Sequence, residues 1–132
     1  MFQSLINDLV GTTYAVKMAH WSAKGPGSYA FHVSSGELAD ALFAQTDTLI
    51  EALLSVQAFE NGLQHVVLSC PPQHFGDSQL SRERCVTQVR ELQASLRRLE
   101  TWLDLAHRTE LLNIRDELLH SIDTFLYKLR FA

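Results

Sequence analysis

A single break, Lys24-Gly25-Pro26-Gly27-Ser28, divides the first part of the chain into two stretches of helical periodicity. Before it, Phe2, Leu5, Ile6, Leu9, Val10, Thr13 and Val16 recur at intervals of three and four, the spacing of an amphipathic helix over 1–23. Two glycines permit unusual φ, and Pro26 cannot continue a helix, so the chain must turn there. A second helix is expected over 29–59. Leu38, Leu42, Leu49, Leu53 and Val56 form its apolar stripe, widened by Ile50 and Leu54. At about 100° per residue, Asp40, Asp47 and Glu51 fall on the opposite, outward face.

Residues 60–79 contain Asn61-Gly62, Pro71-Pro72 and Gly76-Asp77 and sustain no period, which predicts a long connection with at most a short helical turn over 63–68. Asp77, Ser78 or Ser81 is placed to cap a third helix reaching Ala106, with Leu80, Val86, Val89, Leu92, Leu96, Leu99 and Leu103 buried. Its other face, with Glu83, Arg84, Arg90, Glu91, Arg97 and Arg98, reads as solvated. A break near His107 leads to a last helix, capped at Thr109, whose stripe is Leu111, Ile114, Leu118, Ile122, Phe125 and Leu129. The expected fold is all-α: one domain over 1–132, an antiparallel four-helix bundle of ferritin-like type with a long crossover between helices 2 and 3.

Composition narrows the functional classes. The 132 residues carry a formal charge of −4, with no Lys/Arg-rich tail, so nucleic acid is not an expected partner. Cys70 and Cys85 have no zinc-type companions and are expected as free thiols in a reducing cytoplasm. The first ten residues lack a basic n-region, so no secretory leader is expected. No apolar run approaches the roughly 20 residues of a membrane span.

Two sets of residues suit a metal. Glu117 and His120 have the Glu-x-x-His spacing used inside di-iron bundles, but His120 projects opposite the apolar stripe and no second such pair exists. The other set is His20 and His32, twelve residues apart across the turn, with Asp47 and Glu51 one helical turn apart on an outward face. Mixed imidazole and carboxylate donors suit first-row metals such as iron better than calcium or magnesium. Because the carboxylates face outward, a site there needs ligands from a neighbouring subunit. The bland alternative leaves Asp47 and Glu51 as surface charges and His20 as a packed core histidine.

The run His20-Trp21-Ser22-Ala23-Lys24-Gly25-Pro26, then Phe31-His32, then Asp47-Thr48-Leu49-Ile50-Glu51 resembles the Dps family of mini-ferritins, over about a quarter of the chain. The resemblance implies a homo-oligomeric shell of twelve bundles. At each two-fold interface His20 and His32 of one subunit would face Asp47 and Glu51 of the other, and Fe(II) would be oxidised there, with peroxide preferred to oxygen. Ferric iron would be stored inside. Trp21 would pack at that interface or trap stray oxidising equivalents. The family's usual run carries an acid four residues after the second histidine, where this chain has Gly36. Glu37 and Asp40 are the adjacent acidic candidates for an accessory role. The missing acid, the short chain and the absent basic tail suggest an alternative: a structural or binding protein of the same fold that has lost efficient ferroxidase turnover.

Overall fold

In a computed structural model, residues 2–54, 77–99 and 108–131 are described. They form four α-helices and a terminal 3₁₀ turn, with no strand among the described residues. We label the helices α1 (Phe2–Ser22), α2 (Ser28–Leu54), α3 (Ser78–Arg97) and α4 (Arg108–Lys128), the 3₁₀ turn being Leu129–Phe131. Helix α1 packs against α2 and α3, and α4 packs against the same two.

The turn between α1 and α2 forms as its composition requires. Gly25 and Gly27 have φ of 95° and 76°, the left-handed region that glycine occupies without a Cβ penalty. The Gly25 carbonyl accepts from the Ser28 backbone N–H at 3.2 Å and from Ser28 Oγ at 2.7 Å, which closes the turn and starts α2. At α3, Asp77 is the cap: its Oδ1 accepts from the Leu80 N–H at 2.9 Å, satisfying one of the amides that a helix start leaves open.

One core joins the four helices. Phe31, Leu42, Leu49, Leu92, Leu96 and Leu118 are among its fully buried members. Removing each such side chain from water contributes about 1.5–3 kcal/mol. The expected stripe of α4 is buried from Leu111 to Phe125, and that of α2 at Leu38, Leu42, Leu49 and Leu53. Several details differ from the periodicity: on α3, Leu80 and Val86 are half-buried and Ser81 and Cys85 take the buried places. Leu54 is 47% exposed, because it lies outside the arc that α1 and α4 cover. On α1 the buried polar positions are Thr12 and Ser22, while Thr13 is half-buried and its hydroxyl donates to the Leu9 carbonyl at 2.7 Å. Helix α3 ends at Arg97, short of Ala106, with Arg98 as its cap. Positions 55–76 and 100–107, which include Val56, Cys70, Leu103 and the proposed turn over 63–68, lie outside the described residues.

Cys85 is a free thiol buried in the core. Burial pushes its pKa up to about 12, against a smaller opposing pull from Arg82, so it stays protonated and behaves as a small hydrophobe. No helix among the described residues is long and apolar enough to cross a membrane.

Candidate metal site at the first helix corner

The hairpin of α1 and α2 brings His20, in the last turn of α1, against the first turns of α2. The two imidazoles stack, with ring centroids 4.0 Å apart and planes inclined by 16°. Each is tied to the other's backbone: His20 Nδ1 lies 2.6 Å from the His32 carbonyl oxygen, and His32 Nδ1 lies 2.9 Å from that of His20. A carbonyl oxygen only accepts, so both Nδ1 atoms carry the proton and donate. In the neutral imidazole this leaves Nε2 unprotonated, its lone pair free for a cation. The His20 carbonyl belongs to the last turn of α1, where helix geometry supplies no amide partner, so the His32 ring also closes that helix end.

Gly36 completes the corner. A Cβ built on it would sit 2.8 Å from His20 Cε1 and 3.0 Å from His20 Nδ1. With its Nδ1 hydrogen-bonded and only two side-chain torsions, the ring cannot swing away without losing that bond. An isolated glycine inside a helical pattern signals a close approach of this kind. Its role is therefore steric, beyond the absence of a carboxylate that the sequence suggests.

The carboxylates lie elsewhere. Asp47 and Glu51 are exposed on α2, one turn apart. Asp47 is fifteen residues beyond His32, about 22 Å along the helix axis at 1.5 Å per residue. One chain thus brings His20 and His32 together and does not bring Asp47 and Glu51 to them. Among the described residues no group of three or more His, Cys, Asp or Glu is gathered to hold a metal.

The accessory candidates separate. Glu37 turns toward α4, where its Oε2 pairs with Lys128 Nζ at 3.0 Å. Asp40 is exposed and lines a depression with Tyr14, Lys17 and Phe43. Trp21 is 53% exposed, with Lys17 Nζ 5.7 Å from its ring centroid. Glu117 and His120 are both exposed, His120 on a cleft of about 190 Å³ shared with Glu37 and Lys128.

At about 100° per residue, His32, Gly36, Phe43, Asp47 and Glu51 occupy roughly 100° of α2's outward arc. The histidine end and the carboxylate end therefore face the same way. Phe43 stands between them, a large exposed residue that the hydrophobic pattern alone did not single out. Its position on the polar arc was the available signal. No family model matches the chain, no curated protein matches it, and no solved structure matches it.

Proposed function

We propose that this chain is a Dps-type mini-ferritin: an iron-binding ferroxidase that takes Fe(II) at sites shared between two copies. It oxidises the metal with hydrogen peroxide in preference to oxygen and keeps ferric iron inside a cytoplasmic, dodecameric shell. The observation that carries the reading is the reciprocal clamp of His20 and His32, because each ring donates through Nδ1 to a carbonyl. Ligating histidines are typically held this way, with the second nitrogen bonded to a carbonyl or carboxylate.

The stacking supports two iron positions. An ion bound in the plane of one ring lies off the plane of the other, so parallel imidazoles 4.0 Å apart favour one Fe(II) each. Asp47 and Glu51 of a second copy supply negative charge to both positions and can bridge them. Cleaving the O–O bond of peroxide to water takes two electrons and two protons. Two Fe(II) ions give one electron each, and no hydroxyl radical is released.

Contacts between helices favour the ferritin-like path. Arg82, near the start of α3, lies 4.8 Å over the Phe31 ring near the start of α2, which supports parallel α2 and α3. Gln45 with Ser121 and Glu37 with Lys128 run α2 and α4 antiparallel. A connection between parallel α2 and α3 has to return along α2, about 40 Å for its 27 residues. Positions 55–76 have ample reach, roughly 70 Å if extended.

A second reading has its own observation. Gly36 stands where the family carries a carboxylate, which favours a shell or binding protein with the same interface and no efficient turnover.

One experiment separates the two. The protein is loaded anaerobically with excess Fe(II), given hydrogen peroxide, and followed by size-exclusion chromatography with light scattering and iron detection. Many irons per subunit eluting with a dodecamer is the expected result. A dodecamer without iron selects the second reading, and a monomer or a dimer removes storage altogether.

A further inference from the structure

The groove between α1 and α3 carries charges that the chain itself does not answer. Asp8 on α1 and Glu91 on α3 stand on a crevice of about 270 Å³, and neither forms an ion pair or a side-chain hydrogen bond among the described residues. Partial burial raises the Asp8 carboxyl above its usual value, and the charge of Glu91 raises it further.

Gly11 and Thr12, both buried, form the floor. Thr12 is 3% exposed, and its hydroxyl makes no hydrogen bond among the described residues. A buried hydroxyl without a partner is costly until something in the crevice engages it. Gly11 keeps the floor low, because a Cβ built there would meet nothing within 4 Å. Further along α3, Arg98 leans back so that its Nη2 lies 3.4 Å from Ser95 Oγ. Glu91 and Arg98 are seven residues apart, about 10 Å at 1.5 Å per residue. The crevice is therefore acidic in one part and basic in another, with Leu92 on the wall between them.

We propose that this crevice binds a small aliphatic ω-amino acid, its ammonium donating to the carboxylates of Asp8 and Glu91 and to the Thr12 hydroxyl, its carboxylate meeting Arg98. A primary ammonium has three N–H donors and no acceptor, so three converging acceptors satisfy it. The alkyl chain lies over Gly11 and against Leu92, where no polar side chain is lost to it. A metal ion is the poorer fit. The described residues gather no group of three or more His, Cys, Asp or Glu. The volume is also several times the roughly 30 Å³ that one water occupies in the liquid, which leaves room for a chain as well as its head. Arg98 sets the order among amines: it attracts a carboxylate and repels a second ammonium. His20 lies twelve residues beyond Asp8, about 18 Å along α1, so the crevice is separate from the histidine corner and acts without iron.

The test is isothermal titration calorimetry of the iron-free full chain at pH 7 with 5-aminopentanoate, pentylamine, 1,5-diaminopentane and magnesium chloride, circular dichroism verifying the fold of each variant. Affinity is expected to fall in that order. Asp8→Asn with Glu91→Gln is expected to weaken 5-aminopentanoate binding about 30-fold or more, and Thr12→Val about fivefold. Gly11→Ala, which raises the floor, is expected to weaken binding while melting at or above the wild-type temperature, alanine being the better helix former. Arg98→Gln is expected to remove the preference for 5-aminopentanoate over pentylamine. Iron oxidation by the Asp8→Asn/Glu91→Gln variant is expected to stay at the wild-type rate. Absence of binding by any amine, magnesium binding more tightly than the amines, a diamine outbinding 5-aminopentanoate, or wild-type affinity in the Asp8→Asn/Glu91→Gln variant overturns the proposal.

Discussion

The outward face of the α1/α2 hairpin and the α4 side of the bundle are both helical surfaces with histidines and carboxylates, yet they are built differently. On the α4 side the polar groups answer one another within the chain: Lys128 with Glu37 at 3.0 Å, Gln93 with Asp123 at 2.6 Å, Arg115 with Asp116 at 2.7 Å. The hairpin face instead combines exposed aromatic rings, an outward row of Asp40, Asp47 and Glu51, and two imidazoles fixed at Nδ1. A surface that satisfies itself is finished in the monomer. The hairpin face leaves oriented imidazole donors and apolar area open in the single chain.

The sharpest way to break this contrast is to remove the carboxylates on each side in turn. Asp47→Asn with Glu51→Gln should abolish iron oxidation while leaving assembly mass unchanged, and Glu117→Gln with His120→Ala should leave the rate within about twofold. Equal losses from both pairs, measured by stopped-flow absorbance of ferric product, would erase the distinction between the faces.

Gly36 comes next. Gly36→Ala places a Cβ against the His20 ring, and Gly36→Asp adds a carboxylate at the same cost. Both should weaken Fe(II) binding, measured anaerobically, by about tenfold or more, with the helical dichroism retained. A tighter site in Gly36→Asp would mean that the missing carboxylate outweighs the fixed ring.

The α4 surface should be tolerant. Arg97 and Asp123 are 3.9 Å apart and more than half exposed, and pairs of this kind contribute little, so Asp123→Ala should change unfolding free energy by about 1 kcal/mol or less in urea titration. The smallest expected effect concerns Asp8, at the α1/α3 crease. Partial burial, and then the neighbouring Glu91 charge, raise its carboxyl above the usual 3.8. The folded state thus holds that proton more tightly than the unfolded chain. The resulting penalty is absent below the ordinary pKa and grows as pH rises through the raised one. Asp8→Asn should therefore melt slightly higher than wild type at pH 7, with the gap closing toward pH 3.5. A gap that widens on acidification would reverse the assignment.

Much of this molecule is legible along the chain because helices are local. Apolar spacing located all four, Gly25-Pro26-Gly27 marked the corner, and Asp77 was among the expected caps. The outward projection of Asp47 and Glu51 followed from the 100° step alone. Legibility failed where two helices meet. Whether Leu54 is covered, or which side Glu37 takes, depends on neighbours that are distant in sequence.

His20 and His32 could be named as candidate ligands from their spacing. That their rings stack, that each donates to the other's carbonyl, and that Gly36 is needed to admit His20 were decided by how α1 lies across α2. These contacts join positions twelve to sixteen residues apart around a turn. Side-chain periodicity is set by backbone geometry within one helix and is written in the sequence. The approach of two helices is set by ridges, small residues and core volume from both, so only the packed structure could determine it.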